Sequence, residues 1–241
     1  MKFLCRIHKK LWYTLALLLV VASAAFLVLY FAVIRPDARA EAEHRRMTEE
    51  YYNAKLSQYA TENVQYADYE IEVAFVGDSL TDGYDLAKYY PQYKTANRGI
   101  SGDTTVGLEK RLQTSLYDLK PQVVVMLIGV NNLDTMFDNY ESILKGLREN
   151  LPDTEVVLLS LTAMGGDWGV KNQLAAYQNV KIKLLAEQYG YTFVDLFSAL
   201  YDVSIGEVHA GYTVDGGHFT HEGYLVLTNE ITPVLQGLLG K

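Results

Sequence analysis

Hydrophobic and polar positions divide the 241-residue chain into three stretches of different periodicity. From Leu11 to Ile34 no side chain is charged and only Thr14 and Ser23 break the apolar run. At 1.5 Å per residue, such a helix reaches about 36 Å and crosses a hydrocarbon core of about 30 Å with some tilt. From Pro36 to about Ala60 the chain is polar and rich in Ala and Glu, with Tyr52, Leu56 and Tyr59 at helical spacing, which predicts an amphipathic connecting helix. From Ile71 onward, short β-branched runs alternate with helical repeats. Ile71 to Val76, Val123 to Ile128, Glu155 to Leu159 and Tyr191 to Val194 read as strands, with Lys94 to Asn97 as a weaker candidate. Near-continuous apolar strands of this kind belong to parallel sheets covered on both faces. Tyr140, Ile143, Leu144, Leu147 and Leu151 share one helix face, and Tyr224, Leu227, Ile231, Val234 and Leu238 mark a last helix, bent or interrupted at Pro233. The alternation predicts an α/β fold, a three-layer α/β/α sandwich with a parallel sheet. In such a fold the functional groups collect beyond the carboxyl ends of the strands.

The apolar run has two readings, because Lys2, Arg6, Lys9 and Lys10 precede it, as they would precede either a membrane anchor or a cleaved signal peptide. Ala22-Ser23-Ala24 and Ala38-Arg39-Ala40 resemble small-residue cleavage sites, but cutting at the first leaves an apolar stub and cutting at the second requires a hydrophobic region longer than the usual 7 to 15 residues, roughly. The expectation is therefore an uncleaved transmembrane anchor. Four basic residues precede it and four follow closely (Arg35, Arg39, Arg45, Arg46), so the positive-inside count is tied. The acidic residues of the downstream flank and the shortness of the basic tail favour a cytoplasmic amino terminus and an extracytoplasmic remainder at the cell membrane.

Composition then narrows the class. With 49% hydrophobic and 21% charged residues the chain is of globular type. The formal net charge of -8 argues against a nucleic-acid partner, since a polyphosphate needs a basic surface. The first 34 residues carry +4, which leaves -12 on the rest. Cys5 is the one cysteine, so the domain after the apolar run uses no disulfide.

Candidate chemistry sits where the strands end. Gly77-Asp78-Ser79-Leu80 places a serine after the first strand, either as a nucleophile or as a helix cap; the G-x-S-x-G elbow of the usual α/β-hydrolases is absent. Asn97-Arg98-Gly99-Ile100-Ser101-Gly102-Asp103-Thr104 follows the second strand, and its turn can offer backbone N–H groups to an oxyanion, with Asp103 or Thr104 as a helix cap. Asn131 in Gly129-Val130-Asn131-Asn132 can add a side-chain amide, and Asp215-Gly216-Gly217-His218 offers a base and an orienting carboxylate. Each piece alone is a weak signal; together they set a nucleophile, oxyanion donors and an Asp/His pair at successive ends of one sheet.

These residues resemble the SGNH hydrolases, the GDSL-type esterases and lipases. Gly77-Asp78-Ser79-Leu80 corresponds to the first block, Gly102 to the second, Asn131 to the third, and Asp215 with His218 to the last, over about Val73 to Tyr224. The resemblance implies a flavodoxin-like fold and ester hydrolysis through an acyl-serine intermediate, without metal or organic cofactor. Ser79 would be the nucleophile, His218 the general base and then acid, and Asp215 the group that orients it. The Ser79 and Gly102 N–H groups and the Asn131 amide would form the oxyanion hole. Asp78 and Asp103 would shape their loops. Two positions depart from the pattern: Asn132 stands where Asp is common, and Gly217 replaces an apolar residue, which would loosen the histidine's support.

His218 and His221 are spaced H-x-x-H, but with neither Cys nor a third His nearby they do not predict a metal site. Trp168, in the loop after the fourth strand, is the one aromatic singled out for contact with substrate. The expected organisation is a basic tail at 1–10, an anchor at 11–34, a juxtamembrane helical spacer at 35–70 and a hydrolase domain at 71–241. The leading expectation is a membrane-anchored serine esterase removing acetyl or other short acyl groups from an envelope polysaccharide. A lysophospholipase or acyl-thioesterase is the alternative from the same chemistry, and a non-catalytic envelope binding protein the alternative from another class.

Overall fold

The computed structural model describes residues 2–31 and 35–241, so the end of the expected anchor, 32–34, lies outside the described residues. The chain forms two compact units, Met1–Ala54 and Lys55–Lys241. In the first, α1 runs from Lys2 to Leu29 and α2 begins at Arg35. Leu11–Leu29 is long and apolar enough to cross a membrane, a description that an anchor and a signal sequence both meet. Its leucines and valines are solvent-exposed in the chain alone, which suits a helix whose surroundings are lipid.

The second unit is built on five parallel strands, β1 (Val73–Gly77), β2 (Thr95–Gly99), β3 (Val123–Leu127), β4 (Glu155–Leu159) and β5 (Thr192–Val194), in the order β2-β1-β3-β4-β5. This is the flavodoxin-like order, whose direction of winding reverses between β1 and β3. In register, Gly77 stands level with Gly99 on one side and Leu127 on the other, so the loops leaving the first three strands emerge side by side. Alternate residues of the strands feed two cores. Ala74, Val76, Val124 and Met126 pack with Leu108, Leu144 and Ile182, whereas Val73, Phe75, Val123 and Val125 pack with Leu227, Ile231 and Leu235.

Helices α3 (Ser79–Asp82), α4 (Leu86–Tyr89), α5 (Thr105–Leu112), α6 (Phe137–Asn150), α7 (Asn172–Tyr189), α8 (Leu196–Leu200) and α9 (His221–Leu239) cover the sheet. The predicted face of α6, Tyr140, Ile143, Leu144 and Leu147, is buried. Helix α9 runs through Pro233 as one helix and is not interrupted there. A short antiparallel pair, Tyr201–Asp202 with Glu207–Val208, follows α8; two-residue strands leave no alternation in the sequence to find.

The domain begins earlier than the strand pattern suggests. Helix α2 continues to Asn63, and its last residues belong to the folded unit. Tyr59 is buried and its hydroxyl donates to the Gly99 carbonyl at 2.5 Å, with the Arg98 guanidinium 4.6 Å from its ring centroid. Arg98 pairs with Glu62 at 2.6 Å and donates to Asn63 Oδ1 at 3.0 Å. Lys55 pairs with Asp82 at 2.6 Å. The expected spacer therefore ends in a helix that braces the loops after β1 and β2.

Tyr59→Phe keeps the ring and leaves the Gly99 carbonyl without its hydroxyl donor, a loss of about 1–2 kcal/mol. For a unit of this size that lowers the thermal midpoint by about 2–8 °C, measurable by calorimetry on the full chain in detergent.

Candidate active site

Ser79 is the first residue of α3, directly beyond the end of β1. Asp78 caps that helix, its carboxylate accepting the Leu80 N–H at 3.1 Å, so the turn that lifts the serine off the strand is held by the residue before it. Ser79 Oγ lies 3.0 Å from His218 Nε2, and His218 Nδ1 lies 2.7 Å from Asp215 Oδ2. The other Asp215 oxygen accepts the His218 and Gly217 N–H groups at 2.7 and 2.9 Å. These hydrogen bonds, led by those from His218, hold the Asp215 carboxyl down at about 2. An ionised Asp215 can only accept, so Nδ1 carries the imidazole proton and Nε2 is left to accept from the serine hydroxyl.

The loop bearing Asp215 and His218 is fixed mainly by its backbone. Val214 N–H donates to the His218 carbonyl at 2.9 Å, and Gly165 N–H donates to the Gly216 carbonyl at 2.8 Å. Gly216 has φ of +88°, and a Cβ there would stand 2.1 Å from the Gly165 carbonyl oxygen, so only glycine fits this contact. At Gly217 a Cβ would meet ordinary contacts at 3.7 Å, from Asp215 Oδ1 and Trp168 Nε1. The missing apolar side chain is thus answered by N–H groups rather than by packing.

Gly102 sits at φ +78° in the turn after β2. Asn131, in a short 3₁₀ turn after β3, donates one Nδ2 proton to the Asp103 carbonyl at 2.8 Å, which sets the amide plane and leaves the second proton for another acceptor. Asn132 grips Thr105: its Oδ1 accepts the Thr105 N–H at 3.2 Å and its Nδ2 donates to Thr105 Oγ1 at 2.8 Å. An aspartate could accept from both groups, so the departure at this position keeps the tie between the loop after β3 and the start of α5 and reverses the direction of the bond to the Thr105 hydroxyl. Thr104 caps α5, and Asp103 accepts the Thr104 N–H.

Ser79, Asn131 and His218 line one cavity of about 40 Å³ together with Leu80, Val130, Thr162, Met164, Gly217 and Trp168. Trp168, half-buried, carries the Lys171 ammonium 4.4 Å from its ring centroid. Two residues with no motif shape this wall. Asn172 and Asn179, seven apart on α7, each close a pair of hydrogen bonds on one backbone position, Met164 and Leu161 respectively. Buried amides at helical spacing are the only sequence signal that could have found them. Glu207 accepts the Gly166 N–H at 2.9 Å and steadies the Trp168 loop from the far side. His221 stands apart from His218, its Nδ1 meeting the Tyr89 hydroxyl at 2.7 Å. Among the described residues no group of three or more His, Cys, Asp or Glu side chains converges as a metal site would.

A parallel α/β sandwich with serine, histidine and aspartate within hydrogen-bonding distance at its carboxyl edge defines a class of hydrolase-like folds. Residues 75–226 match the GDSL-like Lipase/Acylhydrolase family, and the chain belongs to it. Among curated proteins none matches. Of solved structures, one from Streptococcus pneumonia, provisionally described as a platelet activating factor, is 25% identical with a TM-score of 0.75, covering 82% of this chain and 99% of its own. A GDSL-like lipase from Bacteroides thetaiotaomicron is 26% identical with a TM-score of 0.67, covering 76% and 97%. Axe2, an acetylxylan esterase from Geobacillus stearothermophilus, shares the fold at 21% identity and a TM-score of 0.58, covering 70% and 95%.

Behind the serine, Asp78 is buried, and burial pushes its carboxyl up to about 7, helped by Asp103 and opposed by the Leu80 N–H, His218 and Arg111. A carboxyl raised in the folded state contributes stability that is complete below its ordinary pKa of about 3.9 and lost as the pH rises to about 7. Asp78→Asn keeps the acceptor for Leu80 N–H and removes the titration. The thermal midpoint of the variant relative to the parent should therefore rise between about pH 4 and 8; a difference independent of pH across that range contradicts the assignment.

Proposed function

We propose that the protein is a serine esterase that removes short acyl groups, acetyl foremost, from a larger alcohol, and that α1 tethers it to the cell membrane with the catalytic unit outside. The observation that carries this reading is the line from Ser79 Oγ through His218 to Asp215, at 3.0 and 2.7 Å, opening on a cavity of about 40 Å³. The cavity is small and bordered by Leu80, Val130, Met164 and Trp168, which suits a short apolar acyl group.

In the first half-reaction His218 Nε2 takes the Ser79 proton as Oγ attacks the ester carbonyl carbon. The carbonyl oxygen becomes an oxyanion facing the Ser79 and Gly102 N–H groups and the free proton of the Asn131 amide. Asp215, ionised throughout, stabilises the imidazolium without taking its proton. The imidazolium then protonates the leaving alcohol as the tetrahedral intermediate collapses to acyl-Ser79. Water repeats the sequence, attacking the acyl carbon as Nε2 removes its proton, and the acid leaves with Ser79 restored.

The alcohol has a place beside this cavity. A groove of about 410 Å³ shares Val130 and Asn131 with it and mixes Asp134, Thr135 and Lys171 with Leu133, Val170 and Leu174. Polar groups for hydroxyls beside apolar patches for ring faces suit a sugar ring, which supports a polysaccharide ester as substrate.

Full-length protein in detergent should hydrolyse nitrophenyl acetate, and Ser79→Ala should abolish this; an undiminished rate would sink the proposal. In a series from acetyl to palmitoyl, kcat/KM should peak at acetyl, and a peak at long chains would favour the lysophospholipase or thioesterase reading. Asp215→Asn should lower kcat by about 10⁴-fold, the cost of the wrong histidine tautomer in such a triad.

A further inference from the structure

Helix α5 carries a charged side chain with no access to solvent. Arg111 is fully buried, and so is its partner Asp103, with Nε donating to Asp103 Oδ2 at 2.7 Å. The remaining contacts go to the ends of two strands and to Ser115, one turn further along the same helical run. Nη2 donates to the Gly77 carbonyl at 2.9 Å, and Nη1 donates to the Arg98 carbonyl at 2.9 Å and to Ser115 Oγ at 2.8 Å. Gly77 lies two residues before Ser79 at the end of β1, and Arg98 is the last residue but one of β2, ahead of the turn that holds Gly102. Asp103 directly follows Gly102, and its carbonyl is the acceptor that orients the Asn131 amide. One guanidinium therefore touches the segments that carry Ser79 and Gly102, reaches the third donor only through Asp103, whose carbonyl holds the Asn131 amide, and touches none of the reacting atoms.

We propose that Arg111 is the positioning residue of the oxyanion hole, setting the Ser79 N–H, the Gly102 N–H and the Asn131 amide at fixed distances from one another. The inference rests on the esterase reading of the site. Such donors stabilise the transition state only while they stand about 2.7–3.1 Å from the developing charge, and a displacement of about 1 Å costs about 10²-fold in rate. The planar fork of arginine meets its acceptors at fixed angles, whereas lysine presents three protons on a point charge and has no counterpart of Nε. The surrounding groups agree with a single cation in this place. Asp78 and Asp103 both face Arg111, and burial raises both carboxyls while the guanidinium opposes that rise.

The test is Arg111→Lys in the full-length chain in detergent, assayed with nitrophenyl acetate and normalised to the end-point stoichiometry of a fluorophosphonate probe on the serine. We expect one probe per chain, KM within about threefold of the parent and kcat per labelled site down about 10²-fold, because the lost interaction belongs to the transition state alone. A kcat per site within threefold of the parent overturns the inference, as does a loss accounted for entirely by unlabelled protein. Should Arg111→Lys fail to fold, Asp103→Asn serves in its place: it keeps the Gly77 and Arg98 contacts and loosens the segment that orients Asn131, with kcat expected to fall about tenfold at unchanged KM. An unchanged kcat there overturns the inference equally. A parent that neither hydrolyses the ester nor takes the probe overturns the esterase reading itself, which separates the two failures.

Discussion

The Gly77 and Arg98 carbonyls, at the ends of β1 and β2, both accept from one buried side chain, and Gly77 accepts the Ile100 N–H at 3.0 Å besides. The buried guanidinium of Arg111 donates to both while neutralising Asp103. A charge in such a place is tolerated only when its partners are close and its protons are used, and here four hydrogen bonds to four acceptors meet that demand. The arrangement has a geometric consequence. Because the fork is rigid, the loops after β1 and β2 cannot move independently, and through Asp103 the loop after β3 is drawn into the same unit. Helix α2 adds an outer brace, with Tyr59 on the Gly99 carbonyl and Lys55 on Asp82.

The sheet supplies what this cluster joins. The strand order reverses direction between β1 and β3, so the chain leaving β1 and the chain leaving β3 separate to opposite faces and leave a crevice between them. Ser79 and Asn131 stand on either side of that crevice. Asp215 and His218 come from far along the chain, after β5 and α8, and reach it from above. The continuous apolar run of β1 and β3 is thus tied to the chemistry: it buries both faces, which forces helices onto both sides and the polar groups to the strand ends.

Much of this was legible in the sequence because burial on both faces leaves a strong signature. The strands expected at Val123 to Ile128 and Glu155 to Leu159 occur at Val123–Leu127 and Glu155–Leu159, and the buried face of α6 is the one its spacing predicts. Four of the candidate site residues, Ser79, Asn131, His218 and Trp168, line one cavity, with Asp215 hydrogen-bonded to His218. What escaped was polar and internal. Arg111 follows Lys110 in α5 and nothing local distinguishes the two; its contacts are with carbonyls that the fold alone brings near. The same holds for Asn172 and Asn179, which spacing would place on a helix face without saying what backbone they meet. At the end of α2 the helical spacing of Tyr52, Leu56 and Tyr59 was legible as an amphipathic face, but spacing does not say that Tyr59 meets the Gly99 carbonyl.

The two halves of the site are held by different means, and the difference bears on how it works. The side bearing the proposed oxyanion donors is held in the core by a buried ion pair and by strand register. The side bearing the base is a turn whose Asp215 and His218 side chains remain 46% and 50% exposed and whose ties are backbone hydrogen bonds near the surface. Local opening costs least where few apolar contacts are broken, so the proposed mechanism sets its more easily opened part at the histidine turn and its more buried part at the oxyanion donors. That division suits the chemistry read from the site. In the proposed mechanism a developing negative charge is stabilised only by donors already in place, whereas the imidazole serves first the serine, then the departing alcohol, then water, three partners that do not stand at the same point. A rigid hole and a surface-held base are what one site requires if the same histidine is to turn from base to acid within a single cycle.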